Sequence, residues 1–150
     1  MEQDRKYILI KYHQEEFYIE LNEQQIAMRQ LIIDKDSLNH LSCREDCLAE
    51  GIIRERDMAG EFQYISKKQF EDKWFAAMMP YEADWKLVKK KYILGSQVEG
   101  RSLFFYPQGI VIKGNDFYAL YKGDRINQIN QRAEACIVGY DDDNMWLILQ

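Results

Sequence analysis

The sequence predicts an α+β amino-terminal lobe over residues 1–85, then an all-β half of five strands over residues 87–150. Three observations carry this. Val98 to Tyr121, VEGRSLFFYPQGIVIKGNDFYALY, holds the apolar runs SLFF, GIVI and DFYALY, punctuated by Tyr106-Pro107-Gln108 and Lys113-Gly114-Asn115. β-Branched and aromatic residues fill the runs while Gly, Pro and Asn mark the breaks, the pattern of consecutive antiparallel strands. Earlier, Phe70, Trp74, Phe75, Met78 and Met79 recur at helical spacing before Pro80. The charge also changes sign along the chain: residues 1–85 carry 11 Lys/Arg against 18 Asp/Glu, net −7, and residues 86–150 carry 9 against 7, net +2.

In chain order, Tyr7 to Tyr12 and Phe17 to Leu21 predict a hairpin across the polar link His13 to Glu16. Ile26 to Ile33 predicts a third strand, with imperfect alternation that leaves a short helix as the alternative. Ser42-Cys43-Arg44-Glu45 fits a capping box, so a short helix is expected to run to Gly51. Gly60 to Ile65 predicts a strand. Ser66-Lys67-Lys68-Gln69 repeats the capping-box pattern at the head of the helix ending at Pro80. Tyr81 to Lys86 is expected to be a connector, with Lys89-Lys90-Lys91 at the entrance to the second half. After Tyr121 a polar stretch, Lys122 to Arg132, is expected to be a loop or one helical turn. Ala133 to Gly139 and Met145 to Leu149 then form a last hairpin.

A chain of 150 residues, 47% apolar, suits one domain or two small ones with packed cores. It has no run of 18 apolar residues to span a membrane and lacks the basic start and apolar core of a secretory signal. The expectation is a cytoplasmic protein with three free thiols.

Five short strands with a loop between the third and fourth follow the plan of an OB barrel. Tyr92 to Arg101, YILGSQVEGR, resembles the opening of an S1 RNA-binding domain. Tyr106 to Ile112 sits where that family has its aromatic-glycine turn, Phe117 to Gly123 at its third strand, and Glu134 to Leu149 resembles its closing hairpin. Four blocks in the right order over residues 87–150 imply an S1-like OB barrel. They also imply a surface that stacks on or bonds to RNA. Gln108 stands where the family places an aromatic and Tyr121 where it places a histidine.

Single-stranded RNA binding is therefore expected through Phe105, Tyr106, Tyr118 and Tyr121 with Lys113, Lys122 and Arg125, stacking being worth about 1–3 kcal/mol per base. The alternative is a protein-interaction factor, such as an immunity protein that plugs a toxin's cationic site. It would meet a basic protein partner through an acidic surface that includes Glu45, Asp46 and Glu50. Cys43 and Cys47 with His40 are too few and too widely spaced for a structural zinc site. Three consecutive acids, Asp141 to Asp143, converge poorly on one cation. With two histidines, no nucleophile motif and no Gly-rich phosphate loop, neither catalysis nor a cofactor is expected.

Overall fold

The computed structural model describes residues 4–150. The chain is mostly β and divides into two compact units, one ending at Met79 and one spanning Pro80–Gln150. This boundary falls earlier than Trp85 and reassigns Glu82 and Asp84. The second unit then carries 9 Lys/Arg against 9 Asp/Glu and is neutral rather than basic, while residues 1–79 carry 11 against 16.

The first unit is a five-stranded antiparallel sheet with one helix. Strands β1 (Lys6–Tyr12), β2 (Glu15–Leu21), β3 (Ala27–Ile33), β4 (Asn39–Leu41) and β5 (Glu61–Ile65) lie in the order β4-β3-β2-β1-β5. The first hairpin turns on His13 and Gln14, both at positive φ. This suits a two-residue turn whose twist matches its strands. Helix α1 (Lys67–Met78) starts at the expected capping box: Ser66 Oγ accepts from Gln69 N at 3.0 Å, and Gln69 Oε1 accepts from Ser66 N at 2.8 Å. Its Phe70, Trp74, Ala77 and Met78 are buried.

Beneath α1 lies a charged core. Glu20 and Arg29 face each other across β2 and β3. Arg29 Nε and Nη2 reach the Glu20 carboxylate at 2.9 and 3.0 Å, while Nη1 and Nη2 also donate to Glu71 of the helix. The guanidinium lies 4.8 Å from the Phe70 ring centre and 5.2 Å from that of Trp74. Burial alone would raise the Glu20 carboxyl, but the bonds and charge of Arg29 outweigh it and hold the carboxyl below its usual range.

Two expectations for this half fail. Residues 42–45 form a turn and 46–50 an irregular stretch, not a helix. The Ser42 hydroxyl accepts instead from Gln30 N at 2.9 Å, which ties the segment to β3. The connector expected at Tyr81 to Lys86 belongs to a second helix, α2 (Glu82–Lys91), whose last turn carries Lys89, Lys90 and Lys91 at the favourable end of the helix dipole.

The second unit is a closed ring of five strands: β6 (Gln97–Tyr106), β7 (Gly109–Lys113), β8 (Tyr118–Tyr121), β9 (Arg132–Asp141) and β10 (Trp146–Leu149), in the order β10-β8-β7-β6-β9. The first four form a Greek key, because β9 returns to lie beside β6. β10 then seals the ring, parallel to β8 and antiparallel to β9. A bulge between Ser102 and Phe104 bends the long β6 so that it pairs with both β7 and β9.

Val98, Ile112, Ala119, Tyr121, Ala133, Ala135, Ile137, Leu147 and Leu149 fill the interior together with Trp85 and Val88 of α2. The helix is latched to the ring. Asp142 Oδ1 accepts from Trp85 Nε1 and Lys89 Nζ, each at 2.8 Å, and Lys91 pairs with Asp116 at 2.8 Å. Among the described residues, no helix is long and apolar enough to cross a membrane.

Candidate functional site

The ring's strands are half inward and half outward, so register decides which side chains share its outer wall. Ala133 and Ala135 of β9 point inward, which sends Arg132 out. Arg132 stands opposite Arg101 of β6, Arg101 opposite Lys113 of β7, Lys113 opposite Tyr118 of β8, and Tyr118 opposite Trp146 of β10. Three cations and Tyr118 therefore form one row on the wall, which ends at Trp146, itself buried at 1% exposure. With strands about 4.8 Å apart, the cations fall within about 10 Å of one another. Like charges directly opposite weaken a sheet, and this row holds two such steps.

Partial compensation comes from the same strands. Glu99 accepts from Arg132 Nε at 2.5 Å and Nη2 at 2.9 Å. That fork raises the Arg132 guanidinium further and lowers the Glu99 carboxyl. Arg101 Nη1 donates to the Asn130 carbonyl at 2.8 Å, and Lys113 Nζ lies 5.8 Å from the Tyr118 ring centre. The flanking loop, 122–131, is fixed on Ser102. Its Oγ donates to Gln128 O at 2.5 Å and accepts from Gln131 N at 2.9 Å, while Ile126 enters the core.

Next to the row is an open groove of about 470 Å³, lined in part by Gly100, Arg101, Lys113, Gly114, Asn115 and Asn130. Gly100 and Gly114 are required by the ring's interior and not by the groove. A Cβ on Gly100 would lie 2.6 Å from the Lys113 carbonyl oxygen, and one on Gly114 would lie 2.2 Å from the Phe117 ring.

The residues expected to bind RNA do not form one platform. Tyr121 lies inside the ring at 2% exposure, where Arg125 Nε donates to its hydroxyl at 2.9 Å. Tyr106 is buried at 8% exposure, stacked on Phe104 with ring centres 5.5 Å apart. Phe105 is exposed, but as Tyr106's neighbour on the strand it faces the opposite way, opposite Ile110. Tyr118 is half-buried beside Lys113, and Lys122 and Arg125 are exposed in the 122–131 loop, where Arg125 bonds the Tyr121 hydroxyl and the Glu134 carbonyl. Arg101 and Arg132, absent from the expected set, become neighbours only through the pairing register.

Lys89, Lys91 and Asp141 have structural partners. Lys89 and Lys91 hold α2 to the ring. Asp141 organises its turn by accepting from Asp143 N at 3.0 Å and Asn144 N at 3.2 Å. Glu45, Asp46 and Glu50 lie in the turn segment of the first unit, where Asp46 and Asp34 flank His40 at 3.4 and 2.8 Å. The Asp34 bond is the main reason the His40 pKa is raised. Cys43 is buried, its thiol 3.6 Å from Met78 Sδ, whereas Cys47 is exposed and Cys136 half-buried on the outer wall. Burial, then the nearby Glu50, pushes the Cys47 thiol up. Among the described residues, no group of three or more His, Cys, Asp and Glu could hold a metal. Compared with known proteins, the chain matches no family model and no curated sequence.

Proposed function

We propose that the second unit is an OB barrel of the S1 kind and that it works as a non-enzymatic binding module for single-stranded RNA. The barrel reading is supported by the Greek key closed by a fifth strand, by the long bulged first strand and by the loop between the third and fourth. The single observation that carries the ligand is the in-register row Arg132–Arg101–Lys113–Tyr118. Cations held side by side at a cost to the sheet suit successive phosphates, and an aromatic at their end suits one stacked base. This replaces the aromatic platform read from the sequence with a cationic row that ends in one ring.

A titration of the full chain with fluorescein-labelled mixed-sequence single-stranded RNA at low salt tests it. Three phosphate contacts predict a slope of log K against log salt of about −2, from about −0.7 per contact on a single strand. Arg101→Ala should flatten it by about one contact's share. The absence of binding at low salt would sink the reading. If a basic protein were recovered instead, and lost on reversing Glu45, Asp46 and Glu50, the working surface would be the acidic unit.

A further inference from the structure

Strand β5 is the unguarded edge of the first unit. The ring of the second unit is closed, and β4, at the far side of the first sheet, is only 3 residues long. β5 pairs with β1 on one side, and no described strand lies on its other side. Edge strands are ordinarily protected by lysine, proline, a bulge or a covering element. Glu61-Phe62-Gln63-Tyr64-Ile65 has no lysine or proline, its register with β1 is unbroken, and none of its residues is buried. Phe62 and Tyr64 share one face with ring centres 5.4 Å apart, and Tyr64 is 53% exposed. The two ends of the strand differ in charge. An open hollow at its carboxyl end is lined by Arg5, Lys6 and Lys67 against Asp4. Another at its amino end is lined by Glu15, Glu16 and Glu61 against Lys11, with His13 beside them.

An extended segment that fits this edge carries an acid where β5 ends and a base where β5 begins, with apolar rings between. A second β5 laid antiparallel has that order. We infer that two copies of this chain join through β5 about a two-fold axis at Gln63, so that their five-stranded sheets become one. In this register Glu61 faces Ile65 of the second copy, next to its Lys67. Phe62 faces Tyr64, and the neutral Gln63 faces itself. Main-chain hydrogen bonds supply the attraction common to any strand added to an edge, and the facing aromatics add to it. The charges fix the direction, because a parallel copy would set Glu61 on Glu61 and Lys67 on Lys67.

Sedimentation velocity of the full chain over a concentration series at low salt tests this. The mass should rise with concentration from 18.0 kDa towards twice that value, and added salt should weaken the dimer. Gln63→Lys sets two ammonium groups opposite each other at the axis and should weaken the dimer about fivefold. Glu61→Lys makes both ends of the strand basic and acts twice in a symmetric dimer, so it should weaken it about tenfold. Adding Lys67→Glu to Glu61→Lys reverses the two ends together and should recover part of that loss. All three positions are exposed, so the variants should melt as the wild type does at concentrations where it is monomeric. A chain that stays at 18.0 kDa at every concentration would overturn the inference. So would a dimer indifferent to both Gln63→Lys and Glu61→Lys.

Discussion

Trp85 Nε1 and Lys89 Nζ donate to the same oxygen of Asp142, each at 2.8 Å. One carboxylate on the β9–β10 turn thus holds two residues of α2, one turn apart on the helix, and keeps Trp85 over the ring's core. Asp142→Ala should lower stability by about 1–2 kcal/mol, a value discounted for solvent exposure. Trp85 should then report a wetter environment in its emission. The Lys89 bond, then that from Trp85, holds the Asp142 carboxyl below its ordinary range. Its contribution is therefore complete above the unfolded carboxyl's pKa and is lost as pH falls through the lower folded value. Wild type and variant should converge in urea melts as acid is added.

The Arg29–Glu20–Glu71 cluster carries a larger penalty. Removing Arg29 leaves two carboxylates in a site closed by Phe70 and Trp74, so Arg29→Ala should cost about 3–5 kcal/mol. Arg29→Lys should recover only part of this, because an ammonium cannot bridge both carboxylates in a plane. Chemical denaturation of the two variants checks the order.

High pH should loosen the same sheet. Burial, then the charge and hydrogen bond of Glu20, pushes Tyr7 up to about 12. Tyr18 is likewise raised to about 12 by burial and by its bond to Glu16. Both groups favour the protonated form when folded. The stability they supply is complete below pH 10, the ordinary tyrosine value, and drains away as pH rises towards about 12. A chain with Tyr7→Phe and Tyr18→Phe should lose less of its melting temperature across that window than the wild type.

Substituting Tyr121 reads out packing and not ligand contact. Tyr121→Ala empties a site inside the ring and should cost about 3–5 kcal/mol, as large aromatic truncations do. Tyr121→Phe removes only the bond from Arg125 and should cost about 1 kcal/mol. RNA affinity of the folded Phe variant should equal that of the wild type in the same titration.

The elements that sequence made legible are those whose signals are local. β6 to β10 could be read from alternation and turn residues, and α1 from its capping box. Helix α2 is hard to see in the sequence because it buries only Trp85 and Val88 and follows a proline that interrupts the helical spacing. The Ser42 box misled because a capping hydroxyl is also a good acceptor for a neighbouring strand, and Gln30 N captured it. The inward direction of Tyr106 and Tyr121 is not legible because both faces of these strands are apolar. Alternation states which residues share a side, but not which side becomes the interior. The Arg132–Arg101–Lys113 row joins residues far apart in sequence, and only the register brings them level.

The parallel pairing of β10 with β8 has a consequence for biosynthesis. Strands β1 to β4 of the first unit can assemble from neighbouring hairpins, and β5 can join β1 once residue 65 has been made. The ring, by contrast, has an open seam until residues 146–149 arrive, because only they bridge β8 to β9. A nascent or prematurely stopped chain would show two unsatisfied strand edges beside an apolar interior, the kind of surface that recruits chaperones or other chains. Strand β10 therefore decides whether the second unit closes its ring or presents two open edges.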